Sequence, residues 1–359
     1  MRGDEDATLL LTKMIQDAIR KIAHGGESLS REEARTATSE VLAGECTSAQ
    51  IAALLTGLHM KGETVEEIVG FAEAIRAASS LQILPGSLGL SDDEVLVDTC
   101  GTGGDGGGTF NISTAAAFVA AGAGVKVAKH GNRSITSQCG SADVLEALGV
   151  KIEMSPATIA ASLKQTGFAF LYAPALNPGM KYVQPVRKEL GIKTIFNLLG
   201  PLTNPAGASA QVVGVYSLGL VEKVAEVLAM LGIRRAFVVH GLDGLDEITI
   251  TGKTRLIETR DGIMHTFEIT PEQYNIPKSD LGSISGGDAE ANAAIIREIL
   301  AGQPSARRNV VELNAAAVLV AAGAAPILRE GLPMARESID SGAALAKLND
   351  LVRISHQVL

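Results

Sequence analysis

The first eighty residues alternate apolar and polar positions with the period of an amphipathic helix. Apolar side chains recur at Ile51, Leu54, Leu55, Leu58 and Met60, a spacing that gathers them on one helical face. Such a face either packs into the core of its own unit or forms an interface with another chain, and the pattern leaves both open. This part of the chain is therefore predicted to form a helical unit.

Local signals mark the ends of these helices. Three times a hydroxyl residue is followed three positions later by Glu or Gln, which is the spacing of a capping box, and two glycines fall where helices would stop. The pairs are Ser30 with Glu33, Thr47 with Gln50 and Thr64 with Glu67, and the stops are Gly44 and Gly62. Residues 80–94 are rich in Pro, Gly, Ser and acidic residues, which is typical of a linker. The helical domain is thus expected to span residues 1–94.

The hydrophobic pattern changes at residue 95. Short β-branched stretches such as VLVD, VKVA and AFVVH now alternate with Ala-rich helical stretches. This alternation is typical of a mostly parallel central sheet covered by helices. The predicted fold class is therefore α/β, in which a small N-terminal helical domain precedes a large domain over residues 95–359.

A glycine-rich run, GTGGDGGGTFNIST, follows the first of these strands. Glycines let backbone N–H groups approach a phosphate closely, and a helix start just beyond adds the positive end of its dipole. Gly101, Gly103 and Gly106 satisfy G-x-G-x-x-G, but the next strand ends in Lys129 and His130, where a dinucleotide site needs an acidic residue. The P-loop pattern also fails, because no Gly-Lys-Ser or Gly-Lys-Thr follows. The run predicts an anion site of another kind, with a glycine-rich turn that binds nothing as the alternative.

Two more polar segments follow strands of the same predicted sheet. Residues 129–149 are dense in hydrogen-bond donors until Asp143 begins an amphipathic helix. Residues 240–249 place Asp246 beside Glu247 at a turn, and paired carboxylates suit a Mg²⁺ ion that is shared with a substrate's phosphates. Loops at the carboxyl ends of neighbouring parallel strands converge on one crevice, so both segments are expected near the anion site. A solvated loop is the alternative for each segment, and for an Asp-Glu pair taken alone it is the more usual role.

The fourth segment, residues 181–207, combines a cation with a rigid stretch. Arg187 lies on a helical stretch, and its planar fork of donors matches a carboxylate, although a surface ion pair is the more ordinary role. A long rigid turn is expected just after it. The residues of that turn are Asn197, Gly200, Pro201, Asn204 and Pro205.

Together these four segments closely resemble the anthranilate phosphoribosyltransferase family, whose fold is of the nucleoside phosphorylase type. The resemblance rests on GTGGDGGGTFNIST, on KHGNR with GSADVLEALG, on PVRKELG with TIFNLLGPLTNPA, and on HGLDGLDEIT. It covers nearly the whole chain from about residue 10. It implies transfer of the phosphoribosyl group of phosphoribosyl pyrophosphate (PRPP) to the amine of anthranilate in tryptophan biosynthesis. It also implies that a piece near residues 165–190 returns to the helical domain.

The resemblance also implies a role for individual residues. Lys129, His130 and Arg187 would act by charge and positioning, with His130 orienting a substrate rather than serving as a base. The PRPP-binding residues would be Gly101, Gly104, Asp105, Thr109, Asn111, Ile112, Ser113, Thr114, Lys129, Ser137 and Ser141. The anthranilate-binding residues would be Gly101, His130, Asn132 and Arg187. The Mg²⁺ ligands would be Ser113, Asp246 and Glu247. The chain departs from the family pattern at Asn177, where a His is usual, and at Thr136, where Ser is common.

The composition of the chain restricts the kinds of partner and cellular compartment that are expected. A net charge of −9 argues against a general nucleic-acid surface, and the 14-residue apolar run at 315–328, which contains a Pro, is too short to span a bilayer. The N-terminus lacks the basic-then-apolar order of a signal peptide, and three scattered cysteines fit neither a disulfide framework nor a zinc site. A cytoplasmic enzyme is expected. The resemblance favours a homodimer through the helical domain.

Two other functions remain open on the sequence. One is a nucleoside phosphorylase of the same fold, against which the Asp246–Glu247 pair and the Arg187 segment argue. The other is a non-catalytic relative that binds a ligand or nucleic acid, which would be expected to lack the metal carboxylates and to carry a basic face.

Overall fold

A computed structural model describes residues 14–79, 91, 94–106, 108–134 and 138–357. The chain divides into two compact units. One combines the N-terminal helices with Pro174–Thr203, and the other contains the strands and helices up to Ala173 and the chain from Asn204 onward. The predicted linker at 80–94 lies almost entirely outside the described residues.

The elements follow in this order along the described chain. The helices are α1 (Met14–Gly25), α2 (Arg31–Ala43), α3 (Ser48–Lys61), α4 (Val65–Ala78), α5 (Ile112–Gly122), α6 (Ser141–Ala147), α7 (Pro156–Thr166), α8 (Ala173–Leu176), α9 (Gln184–Leu190), α10 (Phe196–Leu202), α11 (Val221–Met230), α12 (Ala289–Leu300), α13 (Ala306–Ala321), α14 (Leu328–Asp340) and α15 (Ala343–Ser355). The strands are β1 (Leu96–Gly101), β2 (Lys126–Gly131), β3 (Phe168–Tyr172), β4 (Ala210–Gly214), β5 (Arg235–Gly241), β6 (Thr254–Arg260) and β7 (Ile263–Ile269). None of the described helices combines the length and the apolar character that crossing a membrane requires.

The helical unit begins and ends its helices where the local signals place them. All three capping boxes are present, at the starts of α2, α3 and α4. In the first, Ser30 Oγ accepts a hydrogen bond from the Glu33 N–H at 3.2 Å, and the Glu33 carboxylate accepts one from the Ser30 N–H at 2.7 Å. Gly44 ends α2 with a left-handed φ of 79°, which glycine adopts without a Cβ penalty, and Gly62 ends α3. The predicted helix ends are confirmed.

The apolar face of α3 belongs mainly to the core of its own unit. Ile51, Leu54, Leu55 and Leu58 are all buried, whereas Met60 is 81% exposed and lies off that face. These four leucine and isoleucine side chains therefore pack into the core of the helical unit.

The segment that joins the helical unit differs from its prediction in two ways. It begins at Pro174 rather than near residue 165, because Phe168–Tyr172 is the buried strand β3 of the sheet. The expected rigid turn is wrong for Asn197, Gly200 and Pro201, which lie within helix α10. Asn197 Oδ1 accepts the Thr194 N–H at 2.9 Å and so supports the helix start, and Pro201 is the residue before the last of this short helix.

One seven-stranded sheet forms the centre of the second unit. Its order is β3-β2-β1-β4-β5-β6-β7; the neighbours from β3 to β5 run parallel, and β6 and β7 add an antiparallel edge. The buried, Ala-rich helices α5 and α13 pack against each other and against the sheet. Phe118 of α5 stacks on Phe168 of β3 with ring centroids 4.4 Å apart. The predicted α/β class with a mostly parallel sheet is confirmed.

Candidate active site

The strand order places a crevice at the carboxyl end of β1. The chain runs outward from β1 through β2 to β3, then returns to pair β4 on the other side of β1. The loops after β1 and β4 therefore lead in opposite directions, and open parallel sheets bind ligands at such a switch point. The glycine-rich run starts here, at Gly101, the last residue of β1.

The carboxylate loop after β5 meets the glycine-rich run. Asp246 Oδ2 accepts a hydrogen bond from the Gly103 N–H at 2.7 Å. Glu247 Oε1 accepts one from the Ser113 N–H at 3.1 Å. Ser113 is the second residue of α5, so this N–H is one of the donors that a helix start leaves without an intrahelical partner. Two segments that are more than 130 positions apart thus form one site.

Two glycines make room for the carboxylate loop. Gly101 at the end of β1 and Gly214 at the end of β4 are register partners. A Cβ built on Gly101 would overlap the Asp246 carboxylate, and one built on Gly214 would overlap the Asp246 carbonyl oxygen. Sequence reasoning named Gly101 but missed Gly214, whose only signal is a glycine that ends an apolar strand.

Lys129 and His130 reach the same place from the end of β2. Lys129 is 1% exposed, and its Nζ donates to the Thr99 carbonyl oxygen at 2.6 Å and to Ser113 Oγ at 3.2 Å. His130 is also buried, and its backbone N–H donates to Asp98 Oδ1 at 3.2 Å. The ammonium group therefore lies beside the residue that joins the glycine-rich run to the carboxylate loop.

Burial controls the charges of this site. It raises the pKa of both Asp246 and Glu247, and repulsion from Asp105 and from Asp246, respectively, adds to the effect. Lys129 opposes the rise at Glu247. Carboxylates that are penalised for ionising in this way would be stabilised by a cation, and their oxygen donors suit Mg²⁺.

This donor set fits a shared rather than a fully caged ion. No group of three or more His, Cys, Asp or Glu side chains placed to hold a metal occurs among the residues that the structure describes. Mg²⁺ commonly takes one or two carboxylates and completes its coordination with water and substrate phosphates. Ser113, Asp246 and Glu247 are compatible with that arrangement.

The rest of the glycine-rich run is built around backbone groups. Gly104 has a φ of 76°, a conformation that favours glycine, and Thr109 forms a β-bridge with Ser285. Asn111 uses its amide to bind the Cys139 carbonyl oxygen and to accept a bond from Asn292 at 3.0 Å. Of the remaining predicted residues, Asp105 is half-buried, and Ile112 and Thr114 are buried on α5.

The loop after β2 is organised by Asp143. Its carboxylate accepts the N–H groups of Ser134 and Gly140, both at 2.9 Å, so α6 begins at Ser141 rather than at Asp143 as expected. The Asn132 carbonyl oxygen accepts a bond from Ser141 Oγ at 3.4 Å. Arg133 pairs with Asp143 and Glu146, so its charge is directed to its own loop. Ser137 and Thr136 lie outside the described residues.

Arg187 belongs to the helical unit, on α9. Its guanidinium lies 5.7 Å from the ring centre of Phe196, and burial lowers its pKa. It forms no ion pair with any residue that the structure describes, so the surface ion-pair role is not seen. Asn177, the departure from the family pattern, is buried in the same unit.

Known families match both units. Residues 93–345 match the glycosyl transferase family a/b domain, and residues 16–79 match the glycosyl transferase family helical bundle domain. Anthranilate phosphoribosyltransferase of Moorella thermoacetica is 53% identical over 94% of this chain and 98% of its own length. That of Geobacter sulfurreducens is 51% identical over 96% of this chain and 100% of its own.

Solved structures agree with these relatives. Anthranilate phosphoribosyltransferase from Thermus thermophilus superposes with a TM-score of 0.88 at 42% identity, over 95% of this chain and 100% of that one. The enzyme from Saccharomyces cerevisiae, solved in complex with PRPP and Mg, gives a TM-score of 0.86 at 29% identity, over 96% and 98% of the two chains. On its sequence, its fold and these matches, the chain belongs to the anthranilate phosphoribosyltransferase family.

Proposed function

We propose that the protein transfers the 5-phosphoribosyl group of PRPP to the amine of anthranilate, releases pyrophosphate, and so serves tryptophan biosynthesis. The observation that carries this function is the junction in which the N–H groups of Gly103 and Ser113 donate to Asp246 and Glu247, beside Lys129. It brings a glycine-rich run, a cation and two carboxylates for Mg²⁺ together in a chain that matches named anthranilate phosphoribosyltransferases over nearly its whole length. The Saccharomyces cerevisiae relative was solved with PRPP and Mg, which supports the same substrate and metal.

The PRPP side of the site is proposed on the glycine-rich run and the ends of its neighbours. Backbone N–H groups and the α5 N-terminus would bind the pyrophosphate, and Lys129 would neutralise part of its charge. The residues proposed to bind PRPP are Gly101, Gly104, Asp105, Thr109, Asn111, Ile112, Ser113, Thr114, Lys129, Ser137 and Ser141. Ser113, Asp246 and Glu247 would hold Mg²⁺, which when bound stabilises negative charge on the pyrophosphate.

These residue types suit the reaction. Displacing pyrophosphate builds positive charge on the ribose and negative charge on the leaving group, so the chain must supply cations and N–H donors rather than a strong base. An aromatic amine is already a neutral nucleophile. We therefore assign His130 to orienting a substrate, and Asn132 and Arg187 to binding anthranilate, with the Arg187 fork on its carboxylate. Holding the amine in line with the anomeric carbon supplies the remaining acceleration.

We further propose a cytoplasmic homodimer assembled through the helical domain, which spans residues 1–94 and includes a segment that returns from the domain at residues 95–359. Three free thiols support a reducing compartment, and Met60, 81% exposed on α3, supports an apolar contact there. Sedimentation at micromolar concentration is expected to give twice the chain mass of 37.1 kDa. A mass of one chain would contradict the dimer.

The first experiment follows anthranilate fluorescence with purified protein, PRPP and Mg²⁺. The fluorescence is expected to decay only when both PRPP and Mg²⁺ are present, and the double variant Asp246→Ala/Glu247→Ala is expected to abolish most of the decay. Nucleosides with phosphate serve as the comparison substrates. Turnover of a nucleoside without turnover of anthranilate would replace the proposal by a phosphorylase, and PRPP binding without turnover of either would indicate a non-catalytic relative.

A further inference from the structure

The β1–β2 ladder stops just before the site. Their register contains Leu96↔Lys126 and Val97↔Val127 and no later pair. β1 nevertheless continues to pair with β4 as far as Gly101, and β2 continues to pair with β3 as far as Gly131. The strands therefore part on the side that carries Lys129 and His130, while each remains fixed to its other neighbour.

Side chains span the gap where the backbone pairs end. Asp98 Oδ1 accepts the His130 N–H at 3.2 Å. Asn204 Nδ2 donates to Asp98 Oδ2 and to the Ala128 carbonyl oxygen, both at 2.8 Å. Asn204 Oδ1 accepts the Ala206 N–H at 2.9 Å, which fixes the amide in this orientation. The pair Asp98–Asn204 thus binds β1 to two backbone groups of β2.

Burial makes this arrangement costly to disturb. Asp98 is fully buried and Asn204 is 4% exposed, so a donor or acceptor that loses its partner here cannot turn to water. Burial raises the pKa of Asp98, and Lys129 opposes that rise. A valine at residue 98 would suit an apolar strand, so a buried carboxylate in this position points to a task other than core packing.

We propose that Asp98 and Asn204 are positioning residues for the transfer reaction: they set the spacing between the ends of β1 and β2, and so hold Lys129 and His130 against the glycine-rich run. This inference rests on the function proposed above. Neither residue needs to contact a substrate. Their effect would pass through the backbone of Ala128 and His130 to the two side chains that the site uses.

The proposal predicts that the rate changes more than the binding. PRPP is held by many groups, whereas charge stabilisation at the departing pyrophosphate depends on where the Lys129 ammonium lies. A misplacement of about 1 Å can cost about 100-fold in rate, so we expect kcat to fall by about 10- to 100-fold in either variant below. KM for PRPP and for anthranilate should each change by less than about fivefold, because interactions made mainly in the transition state affect kcat.

The test compares Asn204→Ala and the isosteric Asp98→Asn with a structural control, Ser338→Ala. Ser338 Oγ donates to the Val119 carbonyl oxygen at 2.7 Å in the same unit, so its loss also removes a buried hydrogen bond. For all three variants, kcat per folded molecule, both KM values and the urea unfolding midpoint are measured. We expect the midpoint to fall in the control without a change in kcat, and kcat to fall in the two test variants. If Asn204→Ala does not fold, Asp98→Asn carries the comparison.

Equal kcat values in the test variants and the unaltered protein would overturn the proposal and leave Asp98 and Asn204 as structural residues. The unaltered protein separates this result from a failure of the proposed function. If it consumes no anthranilate, the proposed function fails, and the affinity for PRPP with Mg²⁺ by calorimetry becomes the readout. We then expect a two- to fivefold loss in the test variants and none in Ser338→Ala; equal affinities would overturn the positioning role.

Discussion

The helix starts of the helical unit and the junction at the candidate active site are formed by interactions of very different range. The Ser30–Glu33 capping box joins residues three positions apart, and the other two boxes have the same spacing. In the site, Gly103 binds Asp246 across 143 positions, and Asn204 binds Asp98 across 106. Local sequence therefore determines where the first helices begin, whereas the site exists only after the sheet has assembled.

The difference should also appear in what a substitution costs. Loss of a cap removes one or two hydrogen bonds from a helix end and lowers the free energy of unfolding by about 1 kcal/mol. Loss of a long-range site contact moves a charged group relative to the substrate and lowers the rate. Substitutions in the two regions are thus expected to separate stability from activity.

The largest effect is expected from the isosteric pair Asp246→Asn/Glu247→Gln. It retains the shape of the loop and the acceptors for Gly103 and Ser113 but removes the charges that would hold Mg²⁺. We expect kcat/KM for PRPP to fall by more than about 100-fold, as for the loss of a principal electrostatic group. Magnesium titration calorimetry should show no binding in the variant.

The same pair gives a pH dependence. Burial raises the pKa of both carboxyl groups in the folded protein, so the folded state favours their protonated forms. Without Mg²⁺ their contribution to stability is greatest at low pH and is lost as pH rises from the ordinary carboxyl range through the raised folded values. Urea unfolding with a chelator should show this loss in the unaltered protein and not in the double variant. If the stabilities of the two proteins changed with pH in parallel, the pH dependence would arise from groups other than Asp246 and Glu247.

The next effect is expected from Gly214→Ala. A Cβ at this position overlaps the Asp246 carbonyl oxygen, so the carboxylate loop must move away from the end of β4. We expect kcat to fall by about 100-fold, since about 1 Å of displacement at a site is sufficient for that loss. Gly219→Ala is the matched control, because a Cβ there meets no atom within 4 Å. Equal kcat values in the two variants would show that the carboxylate loop accommodates the added Cβ without a change in the site.

The sequence predicted those features that depend on the local pattern of residues. It placed the capping boxes, the alternation of strands and helices, and the segments that meet at the site, and the family resemblance then supplied the residues. It did not identify Asp98 or Gly214, and it named Asn204 only as a residue of the rigid turn. The roles assigned to them depend on a strand register or on contacts more than 30 positions away, such as that of Asp98 with His130, and the sequence carries no such distances. A charged residue within an apolar strand was the one available signal for Asp98.

A smaller effect, on stability alone, is expected from Thr47→Ala in the helical unit. Thr47 caps α3 by accepting the Gln50 N–H, so its loss should lower the free energy of unfolding by about 1 kcal/mol. Ser48→Ala changes the neighbouring exposed hydroxyl outside the box and should cost less. Urea titration measures both variants, and kcat should remain unchanged. A change of kcat in Thr47→Ala would mean that this cap is coupled to the chemistry and would weaken the contrast between the two regions.

The smallest effect is expected at Glu40, one of the residues that make long-range polar contacts within the helical unit. Its Oε2 accepts the Ile15 N–H at 3.0 Å across 25 positions, and its side chain is buried. Burial raises its pKa, so the carboxylate adds less to stability as pH rises from its ordinary value of 4.5 upward. Glu40→Gln retains an acceptor for Ile15 without the charge.

The Glu40→Gln variant should therefore be slightly more stable than the unaltered protein at pH 8, and the difference should disappear near pH 4. Glu32→Gln is the control of opposite sign, because the hydrogen bond from Arg35 lowers the pKa of that exposed carboxyl. Urea unfolding midpoints of both variants and of the unaltered protein at the two pH values test this prediction. If Glu40→Gln is less stable than the unaltered protein at pH 8, the hydrogen-bond geometry of the carboxylate outweighs its desolvation. The charge of this long-range contact would then stabilise the helical unit.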